Sequence, residues 1–135
     1  NKIRWPEREP YAGGFHDLGI WTAGTLDYLP PSESEASRYL NAKGHGAWNK
    51  EITEMIEMHH CRRSCKDSSY PLVDVFSRAD IADFSLGLVA MGIPNALIAQ
   101  LKAEFPNAGF HKRLLQLGTK WLFKHPLNPL PMFRR

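Results

Sequence analysis

Apolar residues in this chain recur at intervals of three and four and nowhere alternate convincingly with polar ones, a pattern suited to packed helices rather than a sheet. Ile52, Met55 and Ile56 continue at that spacing into His59 and His60, which predicts a helix over 47–64 with a methyl-rich face and two imidazoles on one side. Phe15, Leu18, Ile20, Trp21 and Leu26 predict a helix over 15–29, ended by Pro30 and Pro31. Ser32 followed by Glu35 reads as a capping box that opens a helix running to residue 43, where Gly44 stops it. Pro71 is placed to start a long helix over 72–91, whose stripe of Val73, Phe76, Phe84 and Gly87 is interrupted by Asp80. Further helices are expected over 94–104 and 110–123, the second burying Leu114, Leu117, Trp121 and Leu122. Pro6, Pro10, Gly13 and Gly14 mark residues 1–14 as an irregular entry arm, and Pro126, Pro129 and Pro131 mark 125–135 as an extended strap rather than a helix. The expected class is all-α, with one domain over 1–135.

With 43% hydrophobic and 23% charged residues the chain has a globular balance, which excludes disordered, collagenous and fibrous classes. Its longest nearly apolar stretch, 84–93, is broken by Gly87 and Gly92 and is half the length a membrane span needs, about 20 residues, so no membrane partner is expected. The net charge of +3 is concentrated late: no acidic residue follows Glu104, while Lys112, Arg113, Lys120, Lys124, Arg134 and Arg135 do. Without a nucleic-acid motif this basic quarter reads as solvated surface, and nucleic acid is not an expected partner. Cys61 and Cys65 form no disulfide framework and fit a reducing cytoplasm; their spacing also imitates half of a zinc cluster. Trp5, Trp21, Trp48 and Trp121 are expected as packing mass.

The chemistry-bearing residues are fewer. His16 and Asp17 are adjacent, and at a helix start or kink an imidazole nitrogen and a carboxylate oxygen from such a pair reach the same ion. Asp80 stands on an apolar stripe, where an unpaired carboxylate costs several kcal/mol and requires a positive partner. That partner is a metal, or an arginine such as Arg78 or Arg38, and Asp83 on nearly the same face is the rival ligand. His59 and His60 either join the same site or cap a helix end. His45, between Gly44 and Gly46, is a loop histidine or a lid residue. Mixed nitrogen and oxygen ligands suit Mn, Fe, Co, Ni, Zn or Mg.

The segments F-H-D-L-G-I (15–20), M-I-E-M-H-H (55–60) and S-R-A-D-I-A-D (77–83) resemble the HD-domain superfamily of metal-dependent phosphohydrolases, and the resemblance covers most of the chain. The stretches T-L-D-Y-L-P-P-S (25–32), G-F-H-K-R-L (109–114) and H-P-L-N-P-L-P-M (125–132) look like a small branch of it. The resemblance implies an HD-like helical bundle in which His16, Asp17 and Asp80 bind a divalent metal and His59 and His60 reach a second one. It implies further that metal-activated water cleaves a phosphate ester of a nucleotide or other small molecule, with Asp17 orienting the water and Arg78 or Lys66 neutralising the phosphate. The family's first histidine, some tens of residues ahead of the His-Asp pair, has no counterpart in residues 1–15. An N-terminally shortened chain is the expectation, with the apolar faces of Ile56 and Phe76 left for a preceding segment or a partner subunit, a homo-oligomer included. The other reading is a degenerate helical module used for association or ligand binding.

Overall fold

The computed structural model describes residues 7–61 and 68–134, so Trp5, Cys65 and Lys66 lie outside the described residues. The described chain is all-α: α1 (Glu9–Phe15), α2 (Leu18–Thr22), α3 (Leu29–Ala42), α4 (Asn49–Met58), α5 (Pro71–Phe84), α6 (Asn95–Glu104) and α7 (Phe110–Lys124), with 3-10 turns at Gly46–Trp48 and Pro131–Arg134. The helix α3 packs on α2 and α4, α4 packs on α5, and α1 lies across α3 and α4. Ala12, Leu29, Leu40, Ile52, Met55, Ile56 and Val73 meet in the centre, each almost wholly buried. Burial of such side chains, at about 1.5–3 kcal/mol each, is the main force that closes the bundle. Ile56 is sealed within this core and Phe76 packs against it, so neither leaves the bare face expected of them.

Where the elements depart from expectation, tertiary packing has overridden a local signal. Residues 9–14 are helical despite Gly13 and Gly14, because Ala12 is fully buried, Tyr11 packs against Tyr39, His45 and Trp48, and Phe15 against Tyr39. An ion pair from Arg8 to the buried Glu51 ties the same segment to α4. The end of α1, the short helix α2 and a loop replace the single helix over 15–29, and α3 begins at Leu29, with Pro30 and Pro31 in its first turn instead of ahead of it. Ser32 is therefore no cap: it is buried inside α3, and its Oγ accepts a hydrogen bond from the Gly19 amide at 2.9 Å. Glu35 pairs with Arg38 on the surface.

The long helix ends at Phe84, not near 91, because Leu86 and Gly87 take left-handed backbone conformations (φ 55° and 80°) and the Gly87 amide returns to the Ala82 carbonyl. A side chain at Gly87 would collide with Ile98, so this is also where α6 approaches the turn after α5. The strap over 125–130 is non-helical, held where the Trp121 indole donates to the Asn128 carbonyl at 2.9 Å; beyond it, 131–134 form one 3-10 turn instead of remaining extended. Pro131 is buried and Met132 rests on the core. Trp48 packs against the core, whereas Trp21 is half exposed.

Candidate metal centre

Four separate segments deliver titratable side chains to one place. The chain bends between α1 and α2 with His16 closing one helix and Asp17 opening the next. That bend turns two consecutive side chains to the same side, and His16 Nε2 lies 3.3 Å from Asp17 Oδ2. From the middle of α5, Asp80 brings Oδ1 to 3.4 Å from the same nitrogen. His59 follows the last residue of α4, is fully buried, and holds Nε2 at 3.8 Å from Asp17 Oδ1. His60 lies beside it with ring centroids 3.9 Å apart. Ligand atoms of His59, His60 and Asp80 all fall within 4.8 Å of one another. Asp80 thus belongs to both groupings.

The helix expected over 47–64 stops at Met58, and this is what presents the two histidines. Ser77, buried on α5, holds Oγ 3.1 Å from both the His59 and the Cys61 carbonyls, meeting acceptors that the end of α4 leaves open. Each inner imidazole is aimed by the main chain. A carbonyl only accepts, so His16 Nδ1 donates to Gly13 at 2.9 Å and His59 Nδ1 donates to Ile56, leaving Nε2 of both rings directed at the carboxylates. Phe76 stands edge-on to His16 and completes its packing.

Tyr28, the residue before α3, is part of the cluster although no sequence signal singled it out. Its hydroxyl reaches His60 Nε2 and lies 3.4 Å from His59 Nε2. A buried tyrosine in a T-L-D-Y-L-P-P context reads as packing, but a buried phenol needs a partner, and that requirement was the available clue.

Electrostatics follow from this geometry. Burial opposes a charge on His16, yet hydrogen bonds and attraction from Asp17 and Asp80 outweigh it and push its pKa up to about 10. Burial would raise Asp17, but His16 and His59 hold it below the usual carboxylate range. Burial lowers His59, and burial together with His59 lowers His60 to about 4. Burial and the Asp17 charge raise the Tyr28 phenol, which stays protonated.

The metal-free chain should therefore be most stable near neutrality. The stabilisation from protonated His16 is complete below the unfolded imidazole pKa of about 6.5 and fades as pH rises toward 10. Neutral His60 stabilises fully above about 6.5, and that contribution is lost as pH falls toward 4. Urea midpoints measured in chelator from pH 4 to 10 should trace both limbs, and His16→Asn should flatten the alkaline one. A wild-type midpoint that climbs between pH 7 and 9 contradicts the arrangement.

Three candidates from the sequence, Arg78, Asp83 and His45, are elsewhere. Arg78 Nε donates to the Met91 carbonyl at 2.8 Å and its Nη1 lies 3.8 Å from Asp74, so it braces the turn after α5 and does not meet the cluster. A Cβ at Gly92 would strike the same guanidinium. Asp80 is accordingly partnered by His16, while Arg78 and Arg38 are engaged with other groups. Asp83 is exposed at the rim of the adjoining cavity, and His45 stacks on Trp48 at 4.1 Å between α3 and α4, away from the cluster.

Metal bonds of 2.0–2.2 Å separate adjacent ligand atoms by about 2.8–3.1 Å at octahedral and about 3.3–3.6 Å at tetrahedral angles, and the His16–Asp17 and His16–Asp80 distances of 3.3 and 3.4 Å fall in the tetrahedral range. The donor set is two carboxylates and three imidazoles, borderline ligands that suit a first-row divalent ion. No helix among the described residues is long and apolar enough to cross a membrane. Comparison of the chain with family models, with curated proteins and with solved structures returned no match.

Proposed function

We propose that this chain is a metal-dependent hydrolase of the HD type, acting on a phosphate ester, with His16, Asp17, Asp80, His59 and His60 as the residues that hold one or two divalent ions. The observation that carries the reading is the convergence of two Nε2 atoms, each fixed through its Nδ1 by a backbone carbonyl, on the paired carboxylates of Asp17 and Asp80. A structural ion pair does not require both imidazoles to be aimed in this way. Mn, Fe, Co, Ni, Zn and Mg all accept such ligands.

A divalent ion bound there supplies a low-pKa water and polarises a phosphoryl oxygen. The chain's own groups do the rest. Asp17, kept ionised by its neighbours, would serve both as a ligand and as the acceptor of a proton from the attacking water. His60, neutral at pH 7, and the protonated Tyr28 hydroxyl form a pair that orients polar groups beside His59. His16 carries a proton on Nε2 in the metal-free chain at neutral pH, so metal uptake displaces it and apparent affinity rises with pH.

The test is metal analysis by inductively coupled plasma mass spectrometry after reconstitution with each of the six ions, paired with hydrolysis of 4-nitrophenyl phosphate. Stoichiometric metal with turnover that chelator removes and Asp17→Asn abolishes is the expected result. Failure to retain any ion overturns the reading and leaves an all-α association or ligand-binding module; retained metal without hydrolysis overturns the reaction alone.

A further inference from the structure

A cavity of about 810 Å³ opens directly onto the cluster, with His16, Asp17, Tyr28, His60 and Asp80 at one end. Its volume lies within the range of small-molecule sites, about 300–1,000 Å³. The remaining wall comes from the ends of α1 and α5, α2 and the loop after it, α7 and the C-terminal turn, and is dominated by side chains such as Ile20, Leu26, Leu114, Leu122, Met132 and Phe133. Thr119 and His111 on that wall are already committed. Thr119 donates to the Leu115 carbonyl at 2.8 Å, and His111 bonds both the Phe84 carbonyl and Asn107.

The charge of the lining is mostly negative, with His16 its one cation among the described residues while no metal is bound. Asp17, Asp80 and Asp83 face the cavity, and among the described residues that line it there is no lysine or arginine. Sites that grip di- and triphosphates surround them with guanidinium and ammonium groups, and sites that take a ribose offer free donors and acceptors to its hydroxyls. The described lining offers no such cation, and beyond the cluster only the Trp21 indole and the Asp83 carboxylate stand open to a hydroxyl. One phosphate neutralised by bound metal is compatible with it; a longer anion extending past Asp83 is not.

On these grounds we infer that the substrate is a phosphate monoester of an apolar alcohol or phenol, its phosphate at the cluster and its hydrocarbon or aryl body in the cavity. The inference rests on the hydrolase reading and goes beyond it by selecting the leaving group. Hydrolysis breaks the bond from phosphorus to the ester oxygen, water oxygen takes its place on phosphorus, and the alcohol leaves with one of the water's protons. Gly118 on α7 marks the wall where selectivity can be altered. It lines the cavity, and a Cβ there meets nothing within 4 Å.

Steady-state kinetics of the metal-reconstituted chain with 1-naphthyl phosphate and with adenosine 5′-monophosphate test the proposal, with metal content measured on the same samples. The expected kcat/KM ratio favours the naphthyl ester by about tenfold or more, since a fully buried aryl body gains at least that factor over one carrying unsatisfied hydroxyls. Gly118→Leu, which replaces a helical glycine by a stronger helix former, should retain full metal and lower the naphthyl ester's kcat/KM by about tenfold by filling the cavity. Equal or better use of the nucleotide, or no effect of Gly118→Leu in a metal-replete, folded variant, overturns the leaving-group assignment while leaving the hydrolase intact. If no metal is retained, the hydrolase reading is what fails. Fluorescence titration of the metal-free chain with 1-naphthol then still decides the cavity: saturable binding weakened by Gly118→Leu supports an apolar ligand, and its absence overturns one.

Discussion

Asp80→Ala should weaken divalent metal binding on the order of a hundredfold or more, since loss even of groups that merely support metal ligands costs 10–100-fold. Asp80 is the residue that both His16 and the His59–His60 pair approach, so its removal takes a ligand from each grouping at once. Asp83→Ala, three positions on and exposed, should retain wild-type affinity. Competition with a chromogenic chelator measures both variants, and circular dichroism establishes that the helices persist. Unchanged affinity in Asp80→Ala, or a larger loss in Asp83→Ala, would falsify the ligand set. Without metal the same substitution should move the His16 pKa downward, because burial then works against one carboxylate instead of two. The alkaline limb of the stability profile should in consequence still start near the unfolded imidazole pKa of about 6.5 but end at lower pH, with a smaller total loss.

Gly19→Ala should cost about 3 kcal/mol and lower the Tm of the metal-free chain by about 10 °C. A Cβ at this position would lie 2.4 Å from the Tyr28 carbonyl oxygen, 2.9 Å from Pro31 Cγ and 3.0 Å from Ser32 Oγ. Two of those contacts are backbone or ring atoms that cannot rotate away, so α2 must lift off α3. The lift also stretches the hydrogen bond from the Gly19 amide to Ser32. Tyr28 and Asp17 flank the affected seam, so metal affinity should fall together with stability. The neighbouring Gly14→Ala is the control: nothing lies within 4 Å of its Cβ, and helix propensity predicts a gain of up to about 1 kcal/mol. Thermal unfolding that finds the two variants equally stable would remove the close approach as the reason for glycine at position 19.

The contrast between these two glycines also explains how far the sequence could be read. Periodicity reports which face of a segment is apolar, and on that basis the all-α class, the spans of α6 and α7 and the buried stretch of α4 were legible, whereas the burial expected along α7 is only partial and leaves Leu122 half exposed. So was Asp80, because a carboxylate within an apolar stripe demands a partner. The ends of elements were not legible, since they depend on residues distant in sequence. Ser32 has the spacing of a cap, but the approach of Gly19 encloses it within α3. Gly13 and Gly14 suggest irregular chain until Tyr11 and Phe15 find Tyr39. His59 and His60 follow the helical spacing, yet Ser77, reaching the His59 and Cys61 carbonyls from α5, meets the chain just where α4 ends. Arg78 had the right charge near the right carboxylate, and only the turn at Met91 shows where its side chain is spent.

The carbonyls of Gly13 and Ile56 that orient His16 and His59 bear on how this site tolerates mutation. An anchor made from a side chain is lost with one codon change, whereas a peptide carbonyl survives every substitution that preserves the local helix. Residues 13 and 56 can therefore drift among helix-compatible and size-compatible types without misdirecting either imidazole. Inheritance of the site is concentrated in the few positions that supply ligands and in the geometry of two helix ends. A distant homologue could keep the centre intact while sharing almost none of the surrounding letters.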